Sequence, residues 1–296
     1  MRIGVTGASG QLAAGVIRHL SSRIGSSDIV AITRTPDKLE SFSRTGVTVR
    51  KGDFNDPSGL VKAFDGIERL LIVPTSDLQP DVRPVQHRAA INAAVSAGVR
   101  HILYVSTIGA RPGVPDGIFE THFATEQALI ESGAAWTLLR MSIYADMLVD
   151  TAKNAIANGK YAALPGEPAA YVVRDDIAAA AAGLLATKGH EGATYHATGP
   201  VSVTAAQIAD TVAKVSGIPI NFSAITVEQL ETQLTGFGLP PAVVNVIGRF
   251  QRRVQEGVFD LISGDVERLA GRRAEAVESF LERSLTQSAA QAGHAG

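Results

Sequence analysis

The chain has 296 residues, of which 45% are hydrophobic and 19% are charged, a composition typical of ordinary globular proteins. Its 27 Lys and Arg residues nearly balance 29 Asp and Glu residues, giving a net charge of −2, so we expect neither nucleic acid nor a membrane surface as a partner. Cys is absent, which excludes disulfides, thiolate zinc sites, iron–sulfur ligation and Cys nucleophiles.

The N-terminal segment lacks the charged leader and long apolar stretch of a secretory signal. No window of the sequence approaches the ~18 uninterrupted apolar residues that a membrane span requires, and the Ala-rich run at 177–186 is too short. From the sequence we therefore expect a cytoplasmic protein.

The first half of the chain alternates short β-branched runs with segments of helical periodicity. Strands are predicted at 3–6, 28–33, 47–49, 70–73, 102–105 and 136–139. Helices are predicted at 12–20, from 36, and at 60–64, 85–97 and 119–131. Continuous apolar strands with helices between them indicate a parallel sheet covered on both faces. The predicted fold class is α/β, with a Rossmann-type doubly wound parallel sheet over residues 1–143.

Beyond residue 143 the alternation becomes less regular. Helices are predicted at 145–158, from 175, at 205–215, at 227–234 and from 241, with short extended runs at 171–173 and 195–197. We predict a smaller C-terminal α/β lobe over 144–286 that binds the substrate, with some of its elements returning to the first domain. The small and polar residues 287–296 are predicted to form a disordered tail.

A glycine-rich turn directly follows the first strand and opens an amphipathic helix. Glycines in such a turn let backbone N–H groups and the helix N-terminus approach a pyrophosphate, and the small Ala13 is allowed where a third glycine is common. The pattern predicts a dinucleotide cofactor, although a purely structural turn is the alternative. The predicted contacts from this turn are Gly7, Ala8, Ser9, Gly10, Gln11 and Leu12.

The end of the second strand meets the ribose 2′ position in folds of this class. Arg34 stands there and Lys38 follows one turn into the next helix, with no acidic residue at the strand tip. Since an Arg at this position suits a 2′-phosphate and an acidic residue suits a 2′-hydroxyl, we predict NADP (NADPH) as the cofactor. The alternative is that Arg34 is simply solvated.

Two further loops follow the third and fourth strands. Asp53 is placed to hydrogen-bond the adenine amino group and Phe54 to pack on the adenine ring, while Asp56 before Pro57 suits a helix N-cap. Capping is the alternative role for Asp53 as well. Cofactors lie at the carboxyl ends of parallel strands, so the loop after the fourth strand is a third predicted contact region, formed by Pro74, Thr75 and Ser76.

A series of passages along the chain carries a family resemblance. They are Thr6-Gly7-Ala8-Ser9-Gly10-Gln11-Leu12, Arg34, Gly52-Asp53, the stretch 94–106, His122-Phe123-Ala124-Thr125-Glu126, Leu138-Leu139-Arg140 and the stretch 266–272. Together and in this order they resemble the NmrA-like branch of the atypical short-chain dehydrogenases, which includes type 2 NAD(P)H:quinone oxidoreductase and triphenylmethane reductase. The resemblance covers nearly the whole chain.

The resemblance implies NADPH in the N-terminal domain, a flat apolar electron acceptor between the lobes, and direct hydride transfer without a flavin. It adds Ser106 and Thr107 to the cofactor contacts and implies a cleft lined by His122, Arg140 and Tyr144. The chain departs from the family at residue 141, where Met replaces the usual Asn, so one polar group that could orient nicotinamide or substrate is absent.

The chain lacks the catalytic pair of ordinary short-chain dehydrogenases. Their carbonyl chemistry needs a Tyr with a Lys four residues later, and none of the five Tyr residues here is followed by Lys at that spacing. Quinones and delocalised dye cations need such an acid less, because the charge that arrives with the hydride is spread or neutralised. Tyr144 and His122 are the predicted catalytic residues, as donors to a quinone oxygen. The alternatives are that Tyr144 is a stacking wall for the acceptor and that His122 simply packs or caps a helix.

His122 and Glu126 lie four residues apart on one helical face but lack a third ligand nearby, so no metal site is predicted. Arg140 is predicted to anchor its strand end by pairing with a carboxylate such as Glu126.

The sequence therefore predicts an NADPH-dependent reductase that transfers a hydride directly to a small aromatic or quinonoid substrate. This substrate is a quinone or a similar conjugated acceptor, with triphenylmethane and azo dyes as the other candidates, and the protein acts as a monomer or homodimer. The alternative is a non-catalytic NADP-sensing NmrA-like regulator that binds a protein partner.

Overall fold

The structure is a computed structural model that describes residues 1–77, 79, 82–113 and 117–293. The strands are β1 (Ile3–Val5), β2 (Ile29–Thr33), β3 (Thr48–Lys51), β4 (Arg69–Ile72), β5 (His101–Thr107), β6 (Ala135–Met141), β7 (Lys160–Ala163), β8 (Ala193–Ala197) and β9 (Asn221–Ala224). The α-helices are α1 (Gln11–Ser21), α2 (Glu40–Ser43), α3 (Pro57–Phe64), α4 (Arg83–Ser96), α5 (Ile118–Glu131), α6 (Leu148–Asn158), α7 (Arg174–Ala186), α8 (Ala205–Ser216), α9 (Val227–Gly236), α10 (Pro241–Gln255), α11 (Asp265–Ala270) and α12 (Val277–Gly293).

The chain divides into two compact units. The first comprises Met1–Met141, Asp175–Ala197 and Asp265–Arg272, and the second comprises Ser142–Arg174, Thr198–Gly264 and Arg273–Gly296. The first unit therefore takes in α7, β8 and α11 as well as the N-terminal half. The predicted boundary after residue 143 and the substrate-binding role of the second part remain predictions. Of the predicted tail, α12 covers the chain as far as Gly293, and the last three residues lie outside the described residues.

The first unit is built on a seven-stranded parallel sheet in the order β3-β2-β1-β4-β5-β6-β8. Ile3 of β1 pairs with Ile29 of β2 on one side and with Arg69 of β4 on the other. The strand order thus reverses beside β1, and ligands of open α/β sheets bind at this type of switch point. The predicted Rossmann-type α/β fold is confirmed.

The central strands are buried along their whole length because helices cover both faces of the sheet. Every residue of β1, β2, β4 and β5 is buried. On one face α3, α4 and α5 contribute to a core that includes Phe64, Ile91, Leu129 and Tyr104, the last of these from β5. Two helices of the first unit, α7 and α11, pack closely at Gly183. A Cβ added to Gly183 would lie only 2.0 Å from the main-chain oxygen of Leu269, so a larger residue there would clash.

The second unit contains a two-stranded parallel sheet and a separate helical core. Its strands, β7 and β9, pair from Lys160 with Asn221 to Ala163 with Ala224. Neither strand was predicted from the sequence, since each has only four residues and carries little apolar alternation. The predicted extended run at 171–173 forms only an isolated bridge, between Val172 and Tyr144. In the described part of the chain, we find no helix with the length and apolar character to cross a bilayer.

Candidate cofactor site

A cavity of about 220 Å³ lies at the carboxyl ends of β1, β2, β3 and β4, at the switch point of the sheet. Its walls are Gly7, Ser9, Gly10, Thr33, Arg34, Gly52, Asp53, Phe54, Val73, Pro74, Thr75, Ser76 and Gln86. Nine of the predicted cofactor contacts are therefore brought together around one cavity.

The turn between β1 and α1 presents backbone to this cavity. Gly7 has a positive φ of +64°, which side chains disfavour, and a Cβ on Gly10 would lie 3.2 Å from the Gly7 oxygen. Gly10, the N-cap residue of α1, makes no side-chain hydrogen bond to the first turn of the helix. A helix N-terminus preceded by a glycine turn suits an anion such as a pyrophosphate.

Two threonines fix the turn to the neighbouring strand ends. The Thr6 hydroxyl oxygen accepts a hydrogen bond of 3.0 Å from the Val73 N–H, and the Thr33 hydroxyl donates to Ser9 Oγ at 3.1 Å. These bonds tie β1 to the loop after β4 and tie β2 to the glycine turn. These hydrogen bonds position the walls of the cavity relative to the strand ends.

Arg34 forms an exposed part of the cavity wall. Within the described ranges no carboxylate forms an ion pair with Arg34, so its guanidinium is available to a phosphate. Lys38 is also exposed, on the short 3₁₀ turn Pro36–Leu39, and is not one of the wall residues.

Replacing Arg34 with Ala is expected to weaken NADPH binding about tenfold while changing NADH binding less than twofold, because only NADPH carries the 2′-phosphate. Fluorescence titration with both cofactors measures the two dissociation constants. Lys38→Ala is the matched control and should have the smaller effect. An equal loss for both cofactors would remove the assigned role of Arg34.

The two carboxylates after β3 have different roles. Asp56 is the N-cap of α3, where its side chain accepts hydrogen bonds from the Gly59 N–H at 3.0 Å and from Ser58 at 2.9 Å, and these bonds lower the pKa of Asp56. Asp53 lies on the cavity wall, and its Oδ1 accepts the Asn55 N–H at 2.9 Å. Capping is therefore done by Asp56, and Asp53 is left facing the cavity.

The other predicted cofactor contacts are not wall residues of this cavity and remain predictions. They are Ala8, Gln11, Leu12, Lys38, Ser106 and Thr107. The Ala8 N–H is bonded to the Ile32 oxygen, and Leu12 is buried. Both strand-end hydroxyls of β5 are engaged within the protein, Ser106 with Glu126 and Thr107 with the Ile108 oxygen.

Four wall residues were not predicted from the sequence: Thr33, Gly52, Val73 and Gln86. The first three directly adjoin predicted contacts, so their neighbours could have indicated them. Gln86 lies on α4, well after the end of β4, and no sequence motif marks it as a cofactor contact.

A buried histidine supports the loop after β4. The Thr75 N–H donates to His87 Nε2 at 3.0 Å, and the opposite nitrogen, Nδ1, lies 2.9 Å from Thr125 Oγ1. Since Nε2 must accept, Nδ1 carries the proton and donates it to Thr125. Burial, together with the nearby Arg83, lowers the pKa of His87 to about 3. The ring is thus neutral and holds the cavity loop against α5.

His122 lies in the same buried region, with 2% of its surface exposed. Arg83 Nη2 lies 3.0 Å from Nε2, and the Tyr104 hydroxyl lies 2.9 Å from Nδ1. A guanidinium can only donate, so Nε2 accepts and the one N–H of the neutral ring is directed to Tyr104. Burial and Arg83 hold the pKa of His122 well below its usual range. Proton donation by His122 to a substrate therefore stays a prediction, and it requires this N–H to be released.

Glu126 anchors the ends of β5 and β6. Its Oε1 accepts from Arg140 Nε at 2.9 Å, its Oε2 from Arg140 Nη2 at 2.5 Å, and the Ser106 hydroxyl donates to Oε1 at 2.5 Å. Glu126 itself is buried. The predicted pairing of Arg140 with Glu126 is confirmed. Although His122 lies on the same helix as Glu126, its hydrogen-bond partners are different. In the described residues, no cluster of three or more His, Cys, Asp or Glu side chains could hold a metal ion.

Tyr144, in the second unit, packs against Arg174, whose guanidinium carbon lies 4.8 Å from the ring centroid. Arg174 also pairs with Asp146, with 3.1 Å between Nη1 and Oδ1. Burial raises the pKa of Tyr144 to about 12, an effect that Arg174 reduces. At neutral pH the hydroxyl is protonated and could donate a hydrogen bond. Its role as a catalytic residue remains a prediction.

The second unit also encloses a cavity of about 230 Å³. Aliphatic residues and the rings of Tyr161, Tyr171 and Phe250 form most of its walls, and Glu167 is its one charged residue in the described chain. This cavity was not predicted from the sequence because its walls come from α6, β7, α8, α9, α10 and the loops between them.

Known proteins identify the family to which this chain belongs. The family described as NAD(P)H-binding matches residues 7–188. The chain belongs to this family of NAD(P)H-binding proteins. The match includes the glycine turn, Arg34 and the loop after β4, so the family covers the whole cavity at the switch point.

Individual relatives extend over most of the chain. Quinone oxidoreductase 2 of Escherichia coli (strain K12) is 35% identical over 83% of this chain and 85% of its own length. The NAD(P)H azoreductase of Xenophilus azovorans is 30% identical over 93% of this chain and 95% of its own length.

Solved structures agree with this relation. The NADPH complex of the E. coli quinone oxidoreductase has a TM-score of 0.89 and 32% identity, covering 95% of this chain and 99% of that one. Triphenylmethane reductase of Citrobacter sp. also has a TM-score of 0.89, with 30% identity over 97% of this chain and all of its own (100%). The predicted NmrA-like relation and NADP cofactor are confirmed, and this family member is an NAD(P)H-dependent reductase.

Proposed function

We propose that the chain reduces a quinone or a similarly conjugated acceptor by hydride transfer directly from NADPH, without a flavin. NADPH, when bound, supplies the hydride. The protein's part is to hold the cofactor at the switch point and to provide an apolar place for the acceptor. The cofactor fits the cavity there because the glycine turn lets backbone approach a pyrophosphate, the N-cap Gly10 has no side chain to obstruct it, and Arg34 lies on the wall for the 2′-phosphate.

The observation that carries the proposal is the neutral, internally satisfied environment of His122. Both ring nitrogens are hydrogen-bonded to Arg83 and Tyr104, burial holds the imidazole neutral, and no Tyr in the sequence has a Lys four residues later. A simple ketone needs a proton as its alkoxide develops, and neither His122 nor a Tyr-Lys pair supplies an acid for that step. A conjugated acceptor spreads the arriving charge, so orientation contributes most of the catalysis.

The cavity of the second unit supports an apolar and compact acceptor. Pockets for drug-sized ligands have volumes of about 300–1,000 Å³, and this one has about 230 Å³. Its size therefore favours a molecule of one or two fused rings, and its tyrosines and Phe250 offer aromatic surfaces for stacking. The same small volume favours a compact quinone over a large triphenylmethane dye.

The names of the relatives support the same class of acceptor, because quinones, azo compounds and triphenylmethane dyes are all conjugated. Within this proposal Tyr144 serves as a wall or hydrogen-bond donor for the acceptor, since its hydroxyl stays protonated at neutral pH.

Oxidation of NADPH by purified protein, followed by absorbance across benzoquinones, naphthoquinones, triphenylmethane dyes, azo dyes and simple ketones, tests the proposal. We expect turnover of the quinones, weaker turnover of the dyes, and kcat/KM for ketones at least a hundredfold below that of the best quinone. Repeating the panel with Tyr144→Phe should change the acceptor kinetics and leave the NADPH dissociation constant within twofold.

Two results would contradict the proposal. Turnover of ketones at rates comparable to quinones would show that the protein supplies an effective acid. Tight NADPH binding with no turnover of any acceptor would instead favour the NADP-sensing regulator, and partner proteins would then be sought. Measuring cofactor binding separately from turnover keeps these outcomes distinct.

A further inference from the structure

Gln86 carries an unused hydrogen-bond acceptor at the cofactor cavity. The side chain is 92% buried, and its Nε2 donates to Asn55 Oδ1 at 3.1 Å. Its Oε1 is buried and has no hydrogen-bond partner. In the described chain such unpartnered atoms occur in four side chains, and of these residues only Gln86 is a wall of the cofactor cavity.

A buried acceptor without a partner is unfavourable in the free protein. Leaving such a group unpaired costs the free energy of desolvation that a hydrogen bond would recover, so buried polar atoms nearly always have partners. Since Gln86 is a wall residue of a ligand cavity, the simplest source of the missing donor is the ligand itself.

The neighbouring contacts indicate which part of the ligand this is. The glycine turn accounts for the pyrophosphate and Arg34 for the 2′-phosphate, which leaves the end of the cavity near Asp53 and Phe54 for the adenine. Asn55 links that end to α4, because its N–H donates to Asp53 Oδ1 and its own Oδ1 accepts from Gln86. Asp53 and Gln86 are thus held by one residue on the same side of the site.

Adenine matches this pair of acceptors. Its 6-amino group has two N–H donors, one for the Asp53 carboxylate and one for Gln86 Oε1. We propose that Gln86 is a determinant of adenine recognition and that it accepts a hydrogen bond from the 6-amino group of the cofactor. This inference rests on the proposed placement of the cofactor in this cavity.

The test is a binding cycle that compares NADPH with nicotinamide hypoxanthine dinucleotide phosphate, in which a carbonyl oxygen replaces the 6-amino group. The wild-type protein is expected to bind NADPH about tenfold more tightly than the analogue. The carbonyl oxygen of the analogue is an acceptor and would face two further acceptors, the Asp53 carboxylate and Gln86 Oε1. Gln86→Met keeps the length of the side chain and removes the amide. We expect it to lower this preference about fivefold, mainly by weakening NADPH binding.

Arg34→Ala serves as the matched control, since it should change the preference for NADPH over NADH and leave the adenine preference intact. If Gln86→Met keeps the full wild-type preference, or weakens both cofactors equally, Gln86 does not read the amino group. If instead Arg34→Ala also fails to alter NADPH against NADH, the cofactor does not occupy this cavity as proposed. Thermal unfolding of Gln86→Met, expected within a few degrees of wild type, confirms that the variant is folded.

Discussion

Replacing Glu126 with Gln is expected to lower the free energy of unfolding by about 3 kcal/mol, the low end of the cost of breaking a buried ion pair. Glu126 is 1% exposed and binds both Arg140 and Ser106, so the neutral amide removes the charge that compensates the guanidinium. We place the effect at the low end because the Arg140 side chain is 26% exposed and water partly solvates it.

Urea unfolding followed by circular dichroism measures this loss, and Glu120→Gln is the matched control. Glu120 lies on the same helix, α5, but is exposed, so its replacement should change the free energy of unfolding by less than about 0.5 kcal/mol. Equal stabilities of the two variants would show that the Glu126 pair adds nothing to the fold.

Acid is expected to destabilise the protein well above the range in which carboxylates titrate. His87 has a pKa of about 3 in the folded chain, against about 6.5 when it is unfolded. Between these pKa values the unfolded state binds more protons than the folded state. The contribution of neutral His87 to the free energy of unfolding is therefore fully present above pH 6.5 and is lost as the pH falls towards 3. At pH 5 the loss from His87 alone is about 2 kcal/mol. His122, whose pKa is also lowered by burial, adds a loss of the same sign.

Unfolding free energies measured from pH 7 to pH 4.5 test this prediction, with His87→Gln as the comparison. Gln can still accept a hydrogen bond from the Thr75 N–H but does not titrate. The free energy of unfolding of the variant should therefore change less steeply with pH than that of the wild type, by up to the equivalent of one proton. His101, His190 and His196 also have pKa values lowered mainly by burial, and they contribute equally to both proteins. Parallel pH dependences would show that His87 can be protonated in the folded state.

The sequence was sufficient to predict the parts of the site that depend on local geometry. The glycine turn, Arg34 and the loop from Pro74 to Ser76 each follow directly from a strand end, so predicting the strand also predicts the cavity wall. The order of apolar strands and helices likewise predicted the parallel sheet, because burial on both faces leaves a distinct pattern in each strand.

The buried hydrogen-bond network could not be predicted in this way. His87 and Thr125 are 38 residues apart, and Arg83 and His122 are 39 apart, so their contacts depend on how α4 and α5 pack on β5. Amphipathic periodicity predicts that a helix face is buried but does not show which polar atoms meet there. For the same reason the unpaired amide of Gln86 and the walls of the second cavity were found only in three dimensions.

The discontinuous first unit has a consequence for synthesis on the ribosome. Its last strand, β8, is made after the intervening second-unit segment Ser142–Arg174, and α11 is made after a further one. Until β8 emerges, the whole of one side of β6 is an open strand edge, which is a template for pairing with another chain. A nascent chain stalled after residue 141, or a recombinant fragment ending there, would therefore depend on chaperones to stay monomeric, even though it already contains every wall of the cofactor cavity.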